Sequence, residues 1–177
     1  MPARFSMLLL VASIPTFAQT PAWDEYQVKA AYIFNFAKFV EWPTHPLADS
    51  SEPIRICIAG QSPVGSVLGD MVQGKKIGDR PLVVQHILDA QQAAKCQILF
   101  IGAAEKKRMP VLLEALKGSD ILTVGESDDF IALGGLVGLR LEGKRVCIRV
   151  CLEAVDRTGL RISSKLLGLV EIVKGHK

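Results

Sequence analysis

Aromatic residues are scarce in this chain, an excess of one charge is absent, and no apolar run is long enough to cross a bilayer. Phenylalanine, tryptophan and tyrosine make up 6% of the 177 residues, and the formal net charge is only +3 at pH 7. So balanced a charge lacks the basic footprint that nucleic acid requires, which argues against such a partner. There are three histidines, His45, His86 and His176, and none has an acidic or thiol residue at ligand spacing, which argues against a metal site. The apolar stretch at residues 5–17 is 13 residues long, whereas a spanning helix needs about 20. It follows Arg4 and runs into Thr16-Phe17-Ala18, the pattern of a secretory signal peptide over residues 1–18. Cleavage after Ala18 leaves residues 19–177, with 20 basic and 18 acidic side chains, enough for one domain with its own core. Internal repeats and low-complexity tracts are also lacking, and the one linker-like stretch, residues 44–53, is too short to divide two domains.

What the chain does have is a concentration. Nine aromatic residues lie beyond the signal peptide, and six of them (Tyr26, Tyr32, Phe34, Phe36, Phe39 and Trp42) fall within residues 26–43. Aromatic side chains dominate core and interface energetics, so this segment is a docking element, onto its own fold or onto a partner. Asp24 as cap, Gln27 three residues later and Pro43 as stop predict a helix from Asp24 to Trp42. At 100° per residue Val28, Tyr32, Phe36, Phe39 and Val40 share the core face. Phe34 falls on the far side with Ala30, Lys38 and Glu41, which makes Phe34, Lys38 and Glu41 a candidate partner-binding surface.

Short apolar runs then alternate with helical segments. Strands are predicted at Ile54–Ala59, Leu82–Ile87, Gln97–Gly102 and Ile121–Val124, with helices at Pro63–Gln73 and Pro110–Lys117 and a helical turn near Asp128–Leu133. Continuous apolar strands joined by helical crossovers point to a parallel sheet covered on both faces. Leu136–Leu141 and Arg145–Leu152 flank Glu142-Gly143-Lys144 and read as an antiparallel hairpin. A last helix is predicted over Ser164–Val173. The fold class is α/β, a single domain with a mixed, mostly parallel sheet, helices on both faces and a C-terminal antiparallel hairpin.

Four cysteines in an exported chain are candidates for oxidation, with three pairings possible. Four residues of strand separate Cys147 from Cys151 by about 13 Å. A disulfide tolerates about 7 Å between Cα atoms. The favoured pairing is Cys57 with Cys96, leaving Cys147 and Cys151 as free apolar residues; a local bulge that lets those two pair stays open.

Catalytic motifs fail where their chemistry is exacting. Gly69–Lys76 is nearly a phosphate-binding loop, but Lys76 stands where a Mg²⁺-holding hydroxyl is needed, and the run trails a helix instead of leading into one. Gly134-Gly135-Leu136-Val137-Gly138 lacks dinucleotide spacing and reads as a turn into the hairpin. Ser163-Ser164-Lys165 lacks the spacing of a serine–lysine nucleophile, and no Gly-x-Ser-x-Gly elbow exists. The carboxylates Glu126, Asp128 and Asp129 follow the fourth strand and read as solvated. One ligand site is nevertheless suggested by the rule that open α/β sheets bind at their carboxyl edge. Gln61 and Ser62 at a helix N-terminus, with Glu126 and Ser127 after the fourth strand, would line such a crevice and make the chain a small-molecule sensor.

Tyr26–Pro43, the run Ile121–Gly125 with Phe130 and Gly134-Gly135, and the segment Gly159–Leu167 together resemble the YfiR-like (YfiR/HmsC) family of bacterial periplasmic proteins. The resemblance covers essentially all of residues 19–177. It implies a regulator with no cofactor, not an enzyme. Such a regulator binds the periplasmic domain of an inner-membrane diguanylate cyclase, represses it, and so lowers cyclic di-GMP and biofilm formation. The resemblance also implies an outer-membrane lipoprotein that sequesters the regulator, a homodimer, and sensitivity to redox state through disulfides. The Cys57/Cys96 spacing looks like the family's structural bridge. Relatives commonly carry Phe near Cys147 and Asn near Cys151, so a second disulfide does not carry over.

Overall fold

The computed structural model describes residues 25–43 and 52–175. The expected signal peptide, the Asp24 cap, most of the linker-like stretch, His45 and His176 lie outside the described residues. Helix α1 (Glu25–Phe39) runs into a short strand β1 (Val40–Glu41), ending before the expected Trp42. Trp42 precedes a proline, which disfavours helical backbone there. Val40 and Glu41 instead pair antiparallel with Ile162 and Arg161.

The buried stripe of α1 is also rotated from the expected one. Lys29, Ala30, Ile33, Phe36 and Ala37 are buried, while Val28, Tyr32 and Phe39 are half-buried at its flanks. Small residues explain the rotation: Ala30 and Ala37 let the helix approach its neighbours closely, and the bulky rings seal the margins. Burying Ile33 and Phe36 completely contributes about 1.5–3 kcal/mol each.

The remaining elements alternate as the apolar runs suggest. They are β2 (Ile54–Ala59), α2 (Pro63–Val72), β3 (Lys76–Ile77), β4 (Arg80–Ile87), α3 (Ala90–Ala93) and β5 (Ile98–Ile101). Then follow a 3-10 turn (Ala103–Glu105), α4 (Met109–Ala115), β6 (Leu122–Gly125), β7 (Val137–Glu142) and β8 (Arg145–Cys151). The chain closes with α5 (Leu152–Val155), β9 (Arg161–Ile162), α6 (Ser164–Leu167) and β10 (Glu171–Val173). Residues 128–134 form successive turns that include one helical bond, the Leu133 N–H donating to the Asp129 carbonyl at 2.9 Å, so the expected short helical turn is present there.

Eight strands form one sheet in the order β10-β8-β7-β6-β5-β2-β4-β3. β4, β2, β5, β6 and β7 run parallel, and β7 and β8 form the antiparallel hairpin. Its two-residue turn begins at Gly143, whose φ of 61° belongs to the left-handed region that glycine enters without penalty. Alternation along the central strands divides the interior into two cores. Ile54, Ile56, Ile58, Ile98 and Phe100 face α1 and α2, while Cys57, Ala59, Leu99 and Ile101 face α3 and α4.

The end of the chain departs from expectation. The helix predicted over Ser164–Val173 lasts one turn and stops at Gly168, after which Glu171–Val173 adds to the sheet parallel to β8. Glycine weakens a helix, and β-branched Ile172 and Val173 favour strand, where the backbone also gains a ladder.

Candidate functional site

The central strand order creates a switch point. After β2 the chain crosses to β4 on one side, and after β5 it crosses to β6 on the other, so the carboxyl ends of β2 and β5 open between diverging connections. Gly60 leaves β2 with φ of 82°, and a Cβ there would collide with the Glu105 side chain folded over it. Ser62 caps α2, its Oγ accepting from the Val64 N–H at 3.3 Å. A crevice of about 440 Å³ lies at this edge, with Tyr26, Lys29, Gln61, Ser62, Glu126 and Arg140 among its walls. Gln61, Ser62 and Glu126 therefore meet there. Ser127 does not: strand-end alternation turns its hydroxyl to the other side, where it donates to Met109 Sδ at 3.3 Å.

Glu126 is not the solvated carboxylate its sequence context suggests. Its Oε1 accepts from the Ala103 N–H at 2.9 Å, and its Oε2 accepts from the Lys29 ammonium at 2.7 Å. Lys29 is 4% exposed and also pairs with Glu25, one turn earlier on α1. Burial alone would lower the Lys29 pKa, but the hydrogen bonds that Lys29 donates to Glu126 and then Glu25 outweigh it and hold the ammonium above the ordinary lysine value. Arg140 is paired with Asp128 at 3.0 Å. The crevice thus carries charged groups that neutralise one another, and they tie α1 to the ends of β5 and β6. Lys29 is the residue that sequence reasoning missed. Its signal was a lysine on the Ile33–Phe36–Ala37 face, four residues after a glutamate.

The aromatic helix docks onto its own fold. Phe36 and Trp42 are buried, and Tyr26, Tyr32, Phe34 and Phe39 pack against the same core at half burial. The Trp42 indole N–H donates to the Gln97 carbonyl at 3.1 Å, fixing the chain below β5. Phe34 is not on an open far side, and its expected neighbour Ala30 is fully buried, because α2 packs beside α1. The Lys38 and Lys75 ammonium groups lie 4.2 and 5.0 Å from the Phe34 ring centroid, a cation–π arrangement. Glu41 is exposed on β1, opposite Arg161.

Cys57 on β2 and Cys96 before β5 form a disulfide, with Cα atoms 5.9 Å apart. Cys147 and Cys151 are free. Desolvation first, then a hydrogen bond and the charge of Glu142, raise the Cys147 thiol pKa and keep it in the less reactive protonated form. No helix among the described residues is long and apolar enough to cross a membrane.

The motif Gly125…Phe130…Gly134-Gly135 proves to be a packing device. Phe130 is completely buried, and a Cβ on either Gly125 or Gly135 would collide with opposite edges of its ring. Residues 26–171 match the protein family described as YfiR/HmsC-like.

Proposed function

The chain belongs to the YfiR/HmsC-like family, a family of periplasmic regulators of diguanylate cyclase signalling, and we propose that it represses an inner-membrane cyclase by binding that enzyme's periplasmic domain. The family match over most of the chain is the observation that carries this reading. A periplasmic domain acts on a cytoplasmic activity only by binding the outer segment of the enzyme differently in its active and inactive states. The intramolecular disulfide suits an oxidising compartment. Within this reading the contact surface is the Phe34–Lys38 side of α1 with Lys75, near exposed Glu41. The partners are the cyclase, an outer-membrane lipoprotein that withdraws the regulator, and a second copy of the chain.

A tagged chain of residues 19–177 tests the proposal when incubated with solubilised host membranes, with retained proteins identified by mass spectrometry. Recovery of one membrane protein bearing a periplasmic segment and a cytoplasmic cyclase domain supports the reading, and its loss with Phe34→Ala/Lys38→Glu assigns the surface. Recovery of no such protein, under oxidising and reducing conditions alike, counts against it.

A second reading, a sensor of a small polar ligand, is favoured by the crevice that joins Gln61, Ser62 and Glu126. The two are compatible, since a ligand there would bear on the clamp that positions α1. A ligand screen by thermal shift in which nothing raises the melting temperature would remove it.

A further inference from the structure

At the opposite, amino-terminal edge of the sheet, on the α3–α4 side, lies a second crevice of about 600 Å³. Arg80, the first residue of β4, forms part of its wall and is 1% exposed. Its Nε donates to the Glu52 carbonyl at 2.7 Å and one Nη to the Pro53 carbonyl at 3.3 Å, while Nη1 has no hydrogen-bond partner among the described residues. Two carbonyl dipoles do not neutralise a buried guanidinium, and an unsatisfied charged donor is costly. Burial lowers the Arg80 pKa, the Glu52 carboxylate opposes that, and Arg55 adds to it. Glu52 also serves Arg55, at 3.5 Å, and its side chain is largely exposed. Arg55 and Lys95 line the same crevice. Of its acidic residues, Asp120 already accepts from the Gly159 N–H at 2.9 Å.

We propose that this crevice binds a small oxyanion, a carboxylate or a phosphate, anchored by Arg80 Nη1 and held by Arg55 and Lys95. Two corners of the guanidinium are fixed by carbonyls, so Nη1, itself buried behind the crevice wall, is already positioned and gains its one missing acceptor when the wall admits an anion. Glu52 competes with the ligand for the same cations. Cys96 also lies in the crevice wall, only 4% exposed, and its partner Cys57 is wholly buried, so reduction of the disulfide needs that wall to open, which a bound anion opposes.

The test titrates oxidised protein with inorganic phosphate and, separately, with acetate, against sodium chloride at matched ionic strength. Melting temperature and the rate of disulfide reduction by dithiothreitol are the two readouts. The expected result is a saturable rise in melting temperature with at least one anion, together with slower reduction. Saturation by phosphate alone assigns a phosphate ligand, and saturation by acetate alone a carboxylate. Binding should weaken about tenfold in Arg80→Met, the loss of one charge-assisted hydrogen bond, and should strengthen in Glu52→Gln. Because Arg80 is buried, the rim variant Arg55→Gln/Lys95→Gln provides a second arm that leaves the core intact. No saturable effect beyond chloride, or unchanged binding in the rim variant, overturns the proposal.

Discussion

The Lys29 ammonium lies 2.7 Å from Glu126 Oε2, closing a contact between residues 97 apart in sequence, with side chains only 4% and 11% exposed. This pair joins the first helix to the carboxyl end of β6, and Glu126 extends the tie to the Ala103 amide after β5. Removing one member leaves the other charge buried without its main partner. Glu126→Ala is therefore expected to cost about 3 kcal/mol. Lys29→Met/Glu126→Ala should cost less than Lys29→Met and Glu126→Ala summed. Urea unfolding of the four proteins measures the coupling.

The same pair sets a pH dependence. Lys29 has a folded-state pKa raised above the ordinary value of 10.5. Its contribution is fully present below that value and is lost as pH rises through the higher folded-state pKa. Wild type should lose stability on that alkaline limb, and Lys29→Met should show a flatter limb. Unfolding in a Cys147→Ala/Cys151→Ala background, which prevents thiol exchange, measures both.

Phe130 between Gly125 and Gly135 gives a third expectation. Phe130→Ala should destabilise by about 3–5 kcal/mol through a cavity, and Gly125→Ala or Gly135→Ala by about 1–3 kcal/mol through overpacking. Since all three act on one space, either alanine should cost much less in the Phe130→Ala background than in wild type. Additive losses by chemical denaturation would contradict the packing account.

The disulfide closes a separation of 39 residues, and its loss in Cys57→Ala/Cys96→Ala should lower stability by about 4 kcal/mol on the chain-entropy model. The Gln85 side-chain amide lies 3.3 Å from Cys57 Sγ and bridges toward β4. A loss below 1 kcal/mol in a folded variant would show that the unfolded chain is already compact in this region.

How far the sequence could be read follows from where each signal is local. Ile54–Ala59 is buried at every position except the half-buried Arg55, and its apolar residues mark the strand to the residue. Gly143 marks the hairpin for an equally local reason, a left-handed turn position. The C-terminal strand was obscured because Leu166, Leu167, Val170 and Val173 also fit a helical face. The open edge of β8, a tertiary fact, adds to the weaker local push of Gly168 and β-branched Ile172 and Val173 and decides for strand. At the carboxyl-edge crevice, the strand-end rule reached Gln61, Ser62 and Glu126. It could not separate Glu126 from Ser127, whose side chains leave the chain in opposite directions. Nor could it reach Lys29, whose meaning depends on two carboxylates, one of them on another element. The aromatic helix was conspicuous, but its buried face was set by the small residues Ala30 and Ala37, which a tally of large side chains overlooks.

Repression of a membrane cyclase is tested most directly by cyclic di-GMP itself. Its intracellular level would be measured in the host lacking this gene, and again after re-expression of the full chain or of residues 19–177 retained in the cytoplasm. Repression from the periplasm predicts a raised level in the deletion strain, restored to normal by the full chain and not by the retained form. An unchanged level on deletion, or equal restoration by both forms, would contradict it.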